Sequence, residues 1–112
     1  MSPAHESRLL TAIRHICLRP GMYAGDFDSF NMSHLFVFIF GYEGALFETN
    51  QPSQISEFES WLKAQHPQWK ELTSWWGTNI LNECKGDKAL ALRTIINFID
   101  RFVAEKNSTT SQ

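Results

Sequence analysis

The stretch Asp87-Lys88-Ala89-Leu90-Ala91-Leu92-Arg93-Thr94-Ile95-Ile96-Asn97-Phe98-Ile99-Asp100-Arg101-Phe102-Val103 decides the fold class. Asp87 is a good helix N-cap, because its carboxylate can accept the first unpaired backbone N–H groups. Ala89, Leu92, Ile95, Ile96, Ile99, Phe102 and Val103 then recur at intervals of three and one, the one-sided stripe of an amphipathic helix. The spacing predicts a helix from near 87 to 105. From Asn107 the tail Asn-Ser-Thr-Thr-Ser-Gln has nothing to bury and is expected to fray.

Working back from this helix, the same periodicity recurs. Gly86 closes a short fourth helix that carries Trp75, Trp76, Ile80 and Leu81, with Thr73 or Ser74 as its cap. A third helix starts near Gln54, after the polar link from Thr49 to Ser53 with its Pro52, buries Ile55, Phe58, Trp61 and Leu62, and ends by Pro67; Trp69 and Leu72 pack in the connection that follows. The second runs from about His34 to Phe47 with Ser33 as its cap. Its residues Leu35 to Phe40 leave no polar face, which reads as a central helix. Period alone does not separate so short a run from a buried strand, but Gly41, Tyr42, Gly44, Ala45, Leu46 and Phe47 extend the helical reading. The first helix has Ser2 as its cap, Pro3 at its first position, and an apolar face of Leu9, Leu10, Ile13, Ile16 and Cys17. The expected architecture is an all-α, single-domain bundle of about five helices over residues 1–106, with 107–112 as a flexible C-terminal tail. Helix two is expected at its centre, with helix five packed along it.

Composition fits one compact domain. The 112 residues are 43% hydrophobic and 13% aromatic, enough for a core without cross-links. Cys17 and Cys84 form no CxxC pair, and the N-terminus opens on Ser2, Pro3, His5 and Glu6 without the pattern of a signal peptide, so a reducing cytoplasm is the expected compartment. The apolar run from Leu35 to Phe40 is far shorter than the roughly 20 residues that cross a bilayer, and no membrane span is expected.

Between the first two helices lies Arg19-Pro20-Gly21-Met22-Tyr23-Ala24-Gly25-Asp26. Arg19 suits the carbonyl end of a helix, Pro20 cannot continue it, and Pro-Gly fits the centre of a type II turn. Met22 and Tyr23 are then apolar anchors inserted between helices, with Gly21 and Gly25 supplying backbone geometry. The octapeptide resembles the Arg-Pro-Gly-Met-Tyr-Ile-Gly segment of the ATPase domain of type II topoisomerases. That domain also needs an Asp-x-Gly-x-Gly motif, a second glycine-rich lid and an acid paired with an Asn on a helix, none of which this chain has in usable form.

A second resemblance covers most of the chain. Leu9, Leu10 and Ile13, the Arg19 to Gly25 turn, the Phe40-Gly41-Tyr42 ending of the apolar segment, Phe58 with Trp61, Ser74-Trp75 before Ile80, and the apolar C-terminal helix follow in that order. This is similar to a family of small bacterial proteins, some of which look like immunity proteins of contact-dependent growth inhibition or related polymorphic toxin systems. The resemblance implies a binding inhibitor rather than an enzyme, with a cognate toxin domain as its partner.

The residues themselves offer little chemistry. His15 and Cys17 stand two apart on a helix and point in different directions, so they do not pair as base and nucleophile; Cys17 reads as a buried core residue. His5, His34 and His66 lack the partners of a zinc site, and Asp26 and Asp28 fail the calcium-loop pattern, so no metal and no cofactor are expected. A net charge of -2 and a pI near 6.0 give no cationic footprint for nucleic acid.

Charge distribution is more telling. Between Arg19 and Lys63 there is no Lys or Arg, while Asp26, Asp28, Glu43, Glu48, Glu57 and Glu59 fall inside that window. These six acids are either solvated helix faces or, joined by Tyr42 at one end of the bundle, the surface that meets a cationic toxin by charge complementarity. With the resemblance, they are the expected partner-binding residues of an immunity protein that occludes a nuclease-type toxin. The other reading is a helical interaction or scaffold subunit without a toxin partner.

Overall fold

The computed structural model describes residues 8–48 and 55–110, without the side chains of 23, 46–48 and 108–110. The elements are α1 (Arg8–Leu18), the single turn α2 (Gly21–Ala24), α3 (Met32–Glu48), α4 (Ile55–Gln65), a 3₁₀ turn (Pro67–Glu71), α5 (Trp76–Glu83) and α6 (Lys88–Thr110). Five of these helices have eight residues or more, and the described residues contain no strand, so the chain is an all-α bundle. No helix among them is long and apolar enough to cross a membrane. The expected cap at Ser2 and the link containing Pro52 lie outside the described residues.

The centre of the bundle is α6, not the second long helix as its composition suggested. It packs against α1, α4 and α5, whereas α3 packs against α1 and α5. Asp87 caps it as expected: the Leu90 N–H donates to Asp87 Oδ1 at 3.1 Å. Its buried face is Ala91, Leu92, Ile95, Ile99 and Phe102. Ala89 is exposed and Ala91 replaces it in the stripe, because the helix turns its 91, 95, 99 and 102 row inward. The helix runs on to Thr110, past Asn107 where the apolar stripe has ended, and no Gly or Pro interrupts it. Against α6, α1 lays Leu9, Leu10, Ile13, Ile16 and Cys17, all buried as the spacing predicts. On the outside of that contact Arg14 forks onto Asp100, with Nε donating to Oδ1 at 2.8 Å and Nη2 to Oδ2 at 3.2 Å.

An aromatic knot joins the other helices. Phe58 of α4 is 0% exposed and meets Trp61 at 6.2 Å, Trp76 of α5 at 5.6 Å and Phe102 of α6 at 5.4 Å between ring centroids. Ile55 and Leu62 complete the buried face of α4, and Trp61 remains half-buried at its edge, where its Nε1–H donates to Glu105. In the 3₁₀ turn Trp69 is buried flat against His66 at 4.0 Å, while its neighbour Leu72 is exposed rather than packed. After α5, Lys85 (φ 57°) and Gly86 (φ 81°) both take left-handed backbone, and the Gly86 N–H reaches the Leu81 carbonyl at 2.9 Å.

The segment from Arg19 to Gly25 differs from expectation. Pro20 has φ -61° and ψ -30°, which starts the helical turn α2 instead of a type II turn. The Arg19 N–H closes α1 on His15, and the Met22 N–H bonds back to Arg19. The left-handed residue is Gly25, at φ 92°. Met22 is 74% exposed, so it does not insert between helices; in a helical turn its side chain rotates outward while Pro20 and Ala24 face the core. The side chain of Tyr23 lies outside the described residues.

Candidate interaction surface

The N-terminus of α3 is fixed by Asn31, not by Ser33. The Asn31 carbonyl oxygen of the side chain accepts from the Ser33 N–H at 3.0 Å and from the Ser33 hydroxyl, while His34 Nδ1 accepts from the Asn31 N–H at 3.0 Å. This reciprocal arrangement is a capping box with His in the place of Glu. It sets the rotation of the helix. Met32, Leu35 and Ile39 face the core, with Phe38 and Tyr42 half-buried beside them.

The opposite row is turned to solvent although it is apolar. Val37 is 67% and Phe40 70% exposed, Phe36 is exposed as well, and Gly41 and Gly44 continue the row with open space above them. Phe36 stacks on Phe40 at 6.1 Å and meets the edge of Trp75 at 5.2 Å, so the apolar surface passes from α3 onto the start of α5. Trp75 is held there by sequence. It occupies the N-cap of α5 in extended conformation, and its ring folds back over Gly77, where an added Cβ would collide with the six-membered ring.

Beside Trp75 opens a cleft of about 190 Å³, between α4 and the start of α5. Its walls include Trp69, Trp75 and Trp76, with Leu72 beside them and Glu59, Lys63, Thr73, Ser74 and Asn79 as the polar members. Glu59 Oε2 accepts from Trp76 Nε1 at 2.9 Å. Burial holds the Glu59 carboxyl above its ordinary value, the Trp76 hydrogen bond works against that shift, and the nearby charge of Glu43 adds to it. Asn79 is 5% exposed; its Nδ2 donates to the Ser74 carbonyl at 3.4 Å, and its Oδ1, also buried, has no donor.

The acids of the base-free window do not share one end of the bundle. Asp26 and Asp28 lie in the exposed loop before α3. Asp26 Oδ1 accepts from the Ser29 N–H at 2.7 Å, which keeps its carboxyl below the usual range. Lys88 enters the same loop, donating from Nζ to the carbonyls of Phe27 at 2.7 Å and Phe30 at 2.6 Å. Glu57 pairs instead with Lys106 at 2.8 Å. Lys88 and Lys106 are 18 positions apart on α6, roughly 27 Å along the axis at 1.5 Å per residue, so the two acidic groups lie toward opposite ends of that helix. Glu59 lines the cleft, and Glu43 lies near enough for its charge to act on Glu59. Tyr42 is half-buried against Phe38, and the side chain of Glu48 lies outside the described residues.

The sequence did not single out Phe36, Val37 or Phe40 for an exposed row, nor Trp75 and Asn79 for the lining of a cleft. The available signal was a helix apolar on every side in a chain short of other helices to surround it. Among the described residues, no three His, Cys, Asp or Glu side chains cluster as a metal site. The Cys17 thiol is buried and pushed up to about 12 by desolvation, which leaves it a poor nucleophile. No family model, curated protein or solved structure matches the chain.

Proposed function

We propose that the chain is a binding protein that neutralises a toxin by covering its surface, with the outer row of α3 and Trp75 as the contact. One observation carries this reading: of the eight large apolar residues exposed among the described residues, Phe36, Val37 and Phe40 form one row on a well-capped helix, whereas Leu18, Met22, Phe27, Leu72 and Leu90 are spread over other parts of the fold. A contiguous exposed apolar patch is often a functional contact surface on a monomeric domain. An ordinary interface takes roughly 800 Å² from each partner, with an apolar centre completed by a polar rim. At that rim Glu43 and Glu59 suit a cationic partner such as a nuclease that holds phosphates. The Arg19 to Gly25 turn, with its resemblance to immunity proteins, supports the choice of a toxin as that partner.

A second reading has its own support. Along the exposed row of α3 the bulky residues Phe36, Val37 and Phe40 occupy the first half and the small residues Gly41, Gly44 and Ala45 the second. A two-fold axis would lay the bulky half of one helix over the small half of another, making the chain a self-associating subunit.

Light scattering across a range of concentrations and co-purification with the product of the adjacent reading frame separate the two. The first reading expects a monomer that captures the neighbouring product and rescues growth when both are expressed, with Phe40→Asp losing both effects. A dimer that captures nothing and rescues nothing overturns it in favour of the second.

A further inference from the structure

The geometry points to the cleft beside Trp75 as a receptor for one guanidinium group, carried by an arginine of the bound partner. This rests on the reading of the chain as a binding protein and names what its surface takes hold of.

The polar groups fixed in the cleft ask for donors. Asn79 Oδ1 is buried without a donor, and its amide is oriented by the bond from Nδ2 to the Ser74 carbonyl. A buried carbonyl oxygen without a partner is an exception among native polar groups and calls for an explanation. Glu59 spends one lone pair on Trp76 Nε1 and keeps acceptor capacity on both oxygens. Glu43 reinforces the negative potential, and Lys63, an exposed side chain, opposes it. An anion would therefore meet the Glu59 carboxylate under the added field of Glu43, and an aliphatic side chain would leave the remaining acceptor capacity of Glu59 unused.

Size and wall chemistry narrow the choice. At about 190 Å³ the cleft is smaller than the roughly 300 to 1,000 Å³ of pockets for drug-sized ligands, which fits a single side chain. Indole walls from Trp69, Trp75 and Trp76 favour a cation, and a planar one most, since guanidinium stacks on aromatic faces while its edge donates as a fork. An ammonium offers the charge without the planar edge. Burial of Glu59 and the pressure of Glu43 both keep its carboxyl above the usual range, and a bound cation relieves them.

The test uses the full chain, labelled with nitrogen-15, titrated with N-acetyl-arginine amide and, in parallel, with its neutral isostere N-acetyl-citrulline amide. Saturable shifts are expected at the Trp76 indole N–H and the Asn79 side-chain amide, with the citrulline probe and the Glu59→Gln variant each weaker by roughly tenfold, the effect of one lost charge-assisted hydrogen bond. Glu43 does not line the cleft, so Glu43→Gln weakens binding less and serves if Glu59→Gln alters the fold. Equal binding of the two probes, or shifts that never saturate with the arginine probe, overturns the proposal. A co-purified partner that binds wild type and Glu59→Gln alike, together with a silent arginine titration, overturns the cleft assignment while leaving the chain a binding protein. Saturable, Glu59-dependent arginine binding without any protein partner overturns the partner as the source and leaves a receptor for a free guanidinium compound.

Discussion

Phe40→Ala and Phe58→Ala are the same chemical change, and the fold assigns them opposite consequences. Phe58 is 0% exposed and touches Trp61, Trp76 and Phe102, so its removal opens a cavity where α4, α5 and α6 meet. Phe-to-Ala changes in such places cost about 3 to 5 kcal/mol. Against a total stability of about 5 to 15 kcal/mol, that is a large share. Phe40 is 70% exposed, so only about a third of the 1.5 to 3 kcal/mol available from burying its ring is realised, roughly 0.5 to 1 kcal/mol. Alanine recovers about half a kcal/mol of helix propensity, which brings the net change to within about 0.5 kcal/mol of zero. Urea titration followed by far-UV circular dichroism reads both; with a slope of about 1 to 3 kcal/mol per molar, the midpoint falls by roughly 2 M for Phe58→Ala and hardly moves for Phe40→Ala. Measurement at two protein concentrations excludes a contribution from self-association. A loss for Phe40→Ala as large as for Phe58→Ala would refute the reasoning, because the outer row of α3 would then be buried within the chain and no contact surface would exist there.

Gly77→Ala is expected to displace the Trp75 ring, since the new Cβ would collide with it, and so to change near-UV circular dichroism and weaken partner binding while the gain in helix propensity keeps overall stability near that of the parent; an unchanged near-UV spectrum would show that Trp75 does not depend on this glycine. Lys88→Met removes the donor shared by the Phe27, Asp28 and Phe30 carbonyls and should cost about 1 to 3 kcal/mol, with amide exchange accelerated between 26 and 31; protection of that loop equal to the parent's would count against the tether. Because the folded state holds the Glu59 proton to a higher pH than the unfolded chain does, stability is fully kept below the ordinary carboxyl value of 4.5 and falls as pH rises from there through the raised value. Glu59→Gln is expected to remove that fall, making the variant more stable than the parent at pH 7 and not at pH 4; equal midpoints for the two proteins at pH 7 would contradict a burial penalty on this carboxylate.

Much of the bundle is legible from one-sided apolar spacing. The rows of α1 and α4 name their buried residues because each has polar residues on the other side, so only one rotation of the helix satisfies both. For α3 that information is missing. With Phe36, Val37, Phe38, Ile39 and Phe40 in succession, every rotation buries something apolar, and the choice is made by the capping box of Asn31 and His34 together with the contacts of Leu35 and Ile39. An all-apolar helix reads as central if the chain itself supplies the cover. Here α6 holds the centre, and one side of α3 is left over. The error at Ala89 has the same root: two small residues two positions apart fit neighbouring rows of a helix, and only the packed partner decides between them.

The acidic window shows why charge patterns along a chain predict surfaces less well than apolar patterns predict helices. Helical rows are local, fixed by three or four residues of backbone geometry. A stretch without lysine or arginine says nothing about which cations fold back onto it from elsewhere. Lys88 and Lys106 do so here, from 49 to 61 residues away, one into the loop of Asp26 and Asp28 and the other onto Glu57. Lys88 even stands at the N-terminal end of α6, where the helix dipole disfavours a cation, and three backbone carbonyls offset that cost. Glu43 and Glu59 differ in kind, because partial burial, with the neighbouring Glu43 carboxylate adding to it, raises the free energy of the Glu59 charge. An ionised group kept under such conditions gains most from a cation brought by another molecule, and the exposed row of Phe36, Val37 and Phe40 offers that molecule an apolar surface to rest on. The two features meet at Trp75, whose ring touches Phe36 on one side and walls the Glu59 cleft on the other, so a partner anchored in the cleft is also aligned along α3.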